Sequence, residues 1–196
     1  MRFGNLLIGF LCADGCIYAN NNQIELSLKL DDFEHLEKFK DFVEWKGKVR
    51  KDYFRCRVCF GDKTIHHDLI KLGCIPNKSL VLKFPTEDQV PEELIRHFIR
   101  GYFDGDGCIY FTKQGKGNCN FSVLGTKEFL EGLMNKININ KKLRKDKRHL
   151  NNTWSFSMSG IECYKKLKEI YINSTIALDR KAEKFELINK MFKYEN

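Results

Sequence analysis

The chain has 196 residues, 42% of them apolar and 31% charged, with 16 Phe and a formal net charge of +8. That length holds one substantial domain or two small ones, the apolar content supports a packed core, and the charge points to a polyanionic partner. No apolar run reaches the ~20 residues of a membrane span.

The first segment, LLIGFLCA (6–13), has the look of a signal-peptide core. A single early charge at Arg2, an immediate Asp14 and a large Leu11 before Cys12 argue against secretion and against lipoprotein processing. The eight cysteines are then read as reduced thiols of a cytosol-like compartment, whether a nucleoid-containing cytoplasm or a viral or organellar host.

GFLCADGCIY (9–18) returns 92 residues later as GYFDGDGCIY (101–110), identical at six of ten positions. After each copy comes a segment of period two, QIELSLKL (23–30) and NCNFSVL (118–124), which predicts a half-buried strand. Helical spacing follows in DDFEHLEKFKDFV (31–43) and TKEFLEGLMNKI (126–137), with Asp32 and Thr126 as N-cap candidates. A second hairpin is predicted in GKVRKDYFRCRVCF and in KKLRKDKRHLNNTWSFSM. Phe54, Cys56, Val58 and Phe60 alternate with Tyr53, Arg55, Arg57 and Cys59 in the first, and Trp154, Phe156 and Met158 with Thr153, Ser155 and Ser157 in the second. IHHDLIKLG and IECYKKLKEIY close the halves as helices.

Each half thus reads helix, two strands, helix, two strands, helix. All three prolines (Pro76, Pro85, Pro91) lie between the halves, so the expected division is a repeat at 1–84, a linker at 85–91 and a repeat at 92–196. The basic excess belongs to the second repeat: 20 Lys and Arg against 13 Asp and Glu from Glu92 onward, compared with 14 and 13 before it.

The repeated string predicts a helix end. Gly9 and Ala13, and likewise Gly101 and Gly105, stand four apart on one helix face, and glycine inside a helix costs ~1 kcal/mol relative to Ala. Such a cost, incurred at matching positions, implies that two backbones pack closely about a pseudo-twofold axis. Asp14 and Asp106 then fall together at helix C-termini, where the dipoles and their mutual repulsion both disfavour them. Divalent cations with phosphate oxygens in the shell would make that placement favourable. Gly15 and Gly107 are read as sharp exits into a strand.

LIGFLCADG (7–15) and FIRGYFDGDG (98–107) resemble the paired signature of the LAGLIDADG homing endonucleases, and the order of elements resembles a single-chain, two-repeat member. The resemblance implies an α+β fold of two pseudo-symmetric αββαββα repeats, with packed signature helices and two antiparallel sheets forming a DNA-binding saddle. It implies a monomeric, site-specific endonuclease cutting double-stranded DNA with Mg²⁺ or Mn²⁺. Asp14 and Asp106 become metal-binding and catalytic, with Ala13 and Gly105 beside them at the metal. Gly9, Ala13, Gly101 and Gly105 become interface residues. The earlier acidic signature position is matched by Asp104 but is Cys12 in the first copy. Lys78 and Lys181 become the basic catalytic residues.

On such a saddle the polar faces become the reading surface. In the first repeat these are Tyr18, Asn20, Gln23, Glu25, Ser27, Lys48, Arg50, Arg55 and Arg57. In the second they are Tyr110, Thr112, Asn118, Asn120, Ser122, Lys142, Arg144, Lys147, Ser155 and Ser157, with Arg180 added. Arg, Asn and Gln are the side chains that read guanine and adenine bidentately. An RNA maturase or a DNA-binding regulator on the same fold is the alternative, and retention of both aspartates favours the enzyme. CRVC (56–59) has zinc spacing, but its strand points the two sulfurs to opposite faces. No splicing-type ends are visible, so a free-standing enzyme is preferred to an intein.

Overall fold

A computed structural model describes residues 2–112, 119–147, 151–174 and 176–193. Helix α1 (Arg2–Asp14) runs directly into β1 (Gly15–Ile17), then β2 (Gln23–Lys29), α2 (Phe33–Phe42), β3 (Arg50–Lys51), β4 (Arg55–Gly61) and α3 (Lys63–Lys71). The second half repeats the order: α4 (Ile95–Asp106), β5 (Gly107–Phe111), β6 (Cys119–Gly125), α5 (Lys127–Lys136), β7 (Arg144–Lys145), β8 (Trp154–Ser159) and α6 (Gly160–Tyr171). One further helix, α7 (Asp179–Lys193), follows the last of the expected elements. Two four-stranded antiparallel sheets result, ordered β1-β2-β4-β3 and β5-β6-β8-β7. The fold is α+β with two pseudo-repeats.

Alternation decides the faces. In the first sheet Ile24, Leu26, Leu28, Cys56, Val58 and Phe60 are buried against the helices, while Gln23, Glu25, Ser27, Arg55 and Arg57 face outward. In the second, Ile109, Phe121, Val123, Phe156 and Met158 are buried. The periodicity misplaced Phe54. Strand β4 starts one residue later, because Asp52 Oδ1 accepts from the amides of Phe54 and Arg55 and closes a turn, leaving Phe54 82% exposed.

The two sheets are joined through α1 and α4, which touch backbone to backbone. A Cβ at Gly9 would lie 2.0 Å from the Phe98 carbonyl oxygen, and one at Gly101 would lie 1.8 Å from that of Leu6. The contact is reciprocal, since Leu6 and Phe98 occupy matching places in the two strings. At the lower end, a Cβ on Gly105 would stand 2.3 Å from the Ala13 methyl. The strand entries correct one reason given for a glycine. Gly107 leaves the helix with φ −86° and ψ 153°, which any residue adopts. Space is what it supplies there: a Cβ would meet the Phe103 carbonyl oxygen at 2.4 Å, as one at Gly15 would meet that of Leu11 at 2.6 Å.

The halves also clasp each other near the bottom of these helices. Thr126 caps α5 through the Phe129 amide (3.1 Å), and its hydroxyl donates to the carbonyl of Leu82, which follows α3 in the first half. Asp32, the matching residue of the first repeat, makes no cap bond. Both its oxygens instead accept from Arg180 Nε at 3.0 and 3.1 Å.

Candidate active site and nucleic-acid interface

Asp14 and Asp106 are the last residues of α1 and α4, and the glycine contacts bring those helix ends together. A carboxylate oxygen of Asp14 lies 2.9 Å from the point a Gly105 Cβ would occupy. Asp106 is half-buried, and burial, followed by the Asp14 charge, pushes its carboxyl up to about 6. Asp14 is more open. Its carboxyl is also raised by burial, against the lowering charges of Lys181, Lys78 and Arg180.

Each carboxylate has a buried lysine beneath it. Lys78 (6% exposed) donates to the carbonyls of Gly15 and, at 3.4 Å, Ala13. Lys181 (2% exposed) donates to those of Phe103 at 2.6 Å, Asp104 at 2.5 Å and Gly105 at 3.3 Å. The C-terminal carbonyls of a helix lack intrahelical donors, and a cation there meets the negative end of the dipole. Burial holds the Lys181 ammonium down to about 8. The Ala13 and Gly105 carbonyls therefore already accept long lysine contacts.

Sequence reasoning missed Tyr102, the cleft beside Asp106 and the bracing role of Asp104. The Tyr102 hydroxyl donates to the Leu124 carbonyl (3.0 Å) and lies against the Asp106 carboxylate. Phe10 holds the matching place in α1 and offers no hydroxyl, an exchange visible in the two strings. Beside Asp106 opens a cleft of about 200 Å³ lined by Tyr102, Thr126, Thr153 and Ser79 among others. Asp104, fully buried, accepts from Tyr171 Oη at 2.6 Å and from the Leu178 amide at 3.0 Å, so it braces α4 against α6 and the start of α7.

The oxygen donors fit a hard divalent cation. Among the described residues no cluster of three or more His, Cys, Asp and Glu could cage a metal alone. Two carboxylates, with the remaining positions left for oxygens from outside the chain, are what the site offers.

The outward faces form a second feature. Arg50, Arg55 and Arg57 are exposed on the first sheet, with Ser27, Arg57 and Arg50 aligned in one cross-strand row. Tyr18 and Asn20 are exposed beside it, and the Tyr18 hydroxyl reaches Glu25 at 3.4 Å. Lys48 is exposed ahead of β3. On the second sheet Ser122 pairs with Ser157 in the middle, Ser155 pairs with Arg144 at the edge, and Tyr110 and Thr112 are exposed at the end of β5. Lys142 and Lys147 are exposed on either side of β7. Asn118 lies outside the described residues. Asn120, expected outward, is only 9% exposed. Arg180, expected on DNA, commits its Nε to Asp32.

Residues 93–186 match the family model described as a LAGLIDADG-like domain. The chain is 29% identical over 206 aligned positions to a probable translation initiation factor IF-2 of Methanocaldococcus jannaschii; the alignment takes in 94% of this chain and 17% of the length of that protein. Among solved structures, the I-LtrWI LAGLIDADG homing endonuclease bound to target DNA superposes with a TM-score of 0.65 at 15% identity, covering 98% of this chain and 91% of that one. The LAGLIDADG meganuclease I-AabMI bound to uncleaved DNA gives 0.61 at 12% identity, covering 100% and 91%. I-SmaMI, bound to an uncleaved DNA target in the presence of calcium ions, gives 0.61 at 10% identity, covering 97% and 92%. The chain therefore has the two-repeat, single-chain architecture of the LAGLIDADG homing endonucleases, and its second half carries a LAGLIDADG-like domain. Among the described residues no helix is long and apolar enough to cross a membrane.

Proposed function

We propose that this chain is a monomeric, site-specific endonuclease that hydrolyses both strands of a double-stranded DNA target, working as repeats 1–84 and 92–196 tethered by 85–91. The observation that carries the reading is the pair Asp14 and Asp106, converging at the ends of two helices whose packing leaves room for no larger residue. Two partly buried, mutually repelling carboxylates oppose stability, so their convergence calls for a charge-based function.

Asp14 and Asp106 would hold Mg²⁺ or Mn²⁺, which when bound would supply Lewis-acid stabilisation of charge on the scissile phosphates. Ala13 and Gly105 line the same spot through their backbone. Lys78 and Lys181 hold the helix ends in register and set two positive charges under the carboxylates, lowering the cost of bringing the polyanion near them. The outward sheet faces grip the major groove, Arg50, Arg55 and Arg57 from one side and Ser122, Ser155, Ser157 and Arg144 from the other. Lys142 and Lys147 are assigned to phosphates. A maturase or a regulator on the same fold would have no need of the paired acids.

The test is incubation with a randomised duplex library in Mg²⁺, followed by sequencing of the fragment ends. Staggered cuts at a common sequence, absent in EDTA, are the expected result. Sequence-specific binding with no cut on either strand would overturn the nuclease reading in favour of the regulator.

A further inference from the structure

The two sheets match each other row by row, so their outward side chains can be compared at equivalent places. In the row that meets the first residue of the edge strand, the first sheet carries Ser27, Arg57 and Arg50. The second sheet carries Leu124, Ser155 and Arg144 there. In the next row inward the first sheet carries Cys16, Glu25 and Cys59, and the second Cys108, Ser122 and Ser157. The edge arginine and the inner cysteine are common to both. What differs is Ser27 and Arg57 against Leu124 and Ser155, and Glu25 and Cys59 against Ser122 and Ser157.

Directly opposed like charges destabilise an antiparallel pair. Arg57 and Arg50 face each other across β3 and β4, and among the described residues neither forms an ion pair. The Asp52 carboxylate in the adjoining turn offsets part of that repulsion at Arg57, and acceptors in a groove would offset the rest. Arg matches the N7 and O6 of guanine, a carboxylate accepts from the amino group of cytosine, and an apolar side chain suits the methyl group of thymine. A serine accepts or donates and discriminates weakly.

On the proposed reading of the sheets as DNA-binding surfaces, we infer that the target is chemically lopsided. The half-site under the first repeat holds G·C pairs where Arg57 and Glu25 reach, the two outward charges that the second sheet lacks. The half-site under the second holds A·T at the mirror-related position, with a thymine methyl against Leu124, and tolerates change at the next. The larger positive charge of the second repeat does not alter this, because it sits at the β7 edge and its flanks, where phosphates are met without sequence preference.

Selection of bound duplexes from a randomised library, with Ca²⁺ replacing Mg²⁺, tests this directly. G·C enrichment at the Arg57 and Glu25 places of one half, with no counterpart at the matching places of the other, is expected. Arg57→Ser should lower the preference for guanine at one pair of that half roughly tenfold or more, and the double change Leu124→Ser with Ser155→Arg should bring a guanine preference into the other half. A cooperative melting transition confirms that each variant folds; Arg57 is exposed, whereas Leu124 and Ser155 are half-buried and the arginine introduced at 155 faces Arg144, so the double variant should melt lower than the parent chain. Equal G·C content in both halves, or an unchanged profile for Arg57→Ser, would overturn the inference while leaving cleavage untouched. Specific binding without cleavage would overturn the nuclease reading while leaving the inference standing.

Discussion

The signature helices of the two repeats share a backbone but not a chemistry. In α1 the residues leading to the helix end are Phe10, Cys12 and Asp14; in α4 they are Tyr102, Asp104 and Asp106. Phe10 packs edge-on against His35 with ring centroids 5.0 Å apart, while Tyr102 stacks on Phe129 at 3.9 Å and keeps its hydroxyl for Leu124 and Asp106. Cys12 is buried beside the Cys74 thiol, where Asp104 is instead tied to Tyr171 and Leu178. The positions that touch across the axis (Gly9 with Phe98, Gly101 with Leu6) remain equivalent. The duplication thus keeps a glycine where the two backbones meet and leaves the outer face of each helix to its own surroundings.

The largest effect should come from the shared part. Gly101→Ala and Gly9→Ala each place a methyl within 2.0 Å of a backbone oxygen, and loss of ~3 kcal/mol or more is expected. Chemical denaturation would show it, and a normal midpoint for either variant would mean that the helices do not touch there.

The unshared part should respond unequally. Asp104→Ala strands the Tyr171 hydroxyl and the Leu178 amide in the interior, at ~2–4 kcal/mol. Cys12→Ala loses little more than a sulfur atom, at ~1 kcal/mol. Similar losses for the two would erase the contrast between the repeats.

Acidity sharpens the same contrast. Burial raises the Asp104 carboxyl to about 6, as burial and Asp14 raise that of Asp106 to about 6, both above the usual range near 3.8. Groups raised on folding favour the protonated native state, so without metal this contribution is complete below pH ~4 and is lost as the pH climbs through ~6. Melting scans at pH 5 and pH 7.5 should show that loss. It should shrink in Asp104→Asn and in Asp106→Asn, and stay whole in Cys12→Ala. Divalent cations compete with the proton on Asp106, so Mg²⁺ should raise the melting temperature at pH 7.5 and not at pH 5.

The clasp between repeats should give the smallest effects. Thr126→Ala removes a helix cap, worth ~1 kcal/mol. Arg180→Ala leaves the buried Asp32 carboxylate without its partner, but the Arg180 side chain is 45% exposed and water can take its place, so the cost should be ~1–2 kcal/mol.

Much of this was legible in the chain. The paired strings gave the helix interface because steric need leaves glycine in place, and the period of two gave the strands because one face is buried. Phe54 broke its period because Asp52 folds the chain into a turn, a contact that alternation does not encode. Helix α7 was hidden: DRKAEKFELINKMFK is mostly charged, and its apolar stripe has meaning only against α6, where Tyr164 stacks on Phe192 at 4.6 Å. The ion pair of Arg180 was hidden for the same reason. Its partner Asp32 lies 148 residues away, and only the doubled topology brings the two together.

Strand-resolved cleavage of a selected duplex in Mg²⁺, with binding measured alongside, bears on the paired carboxylates most directly. Asp14→Asn and Asp106→Asn should each abolish double-strand cleavage while binding the target at least as tightly as the parent chain in Ca²⁺. Undiminished double-strand cleavage by either variant would contradict the assignment of these two aspartates as the reacting centre.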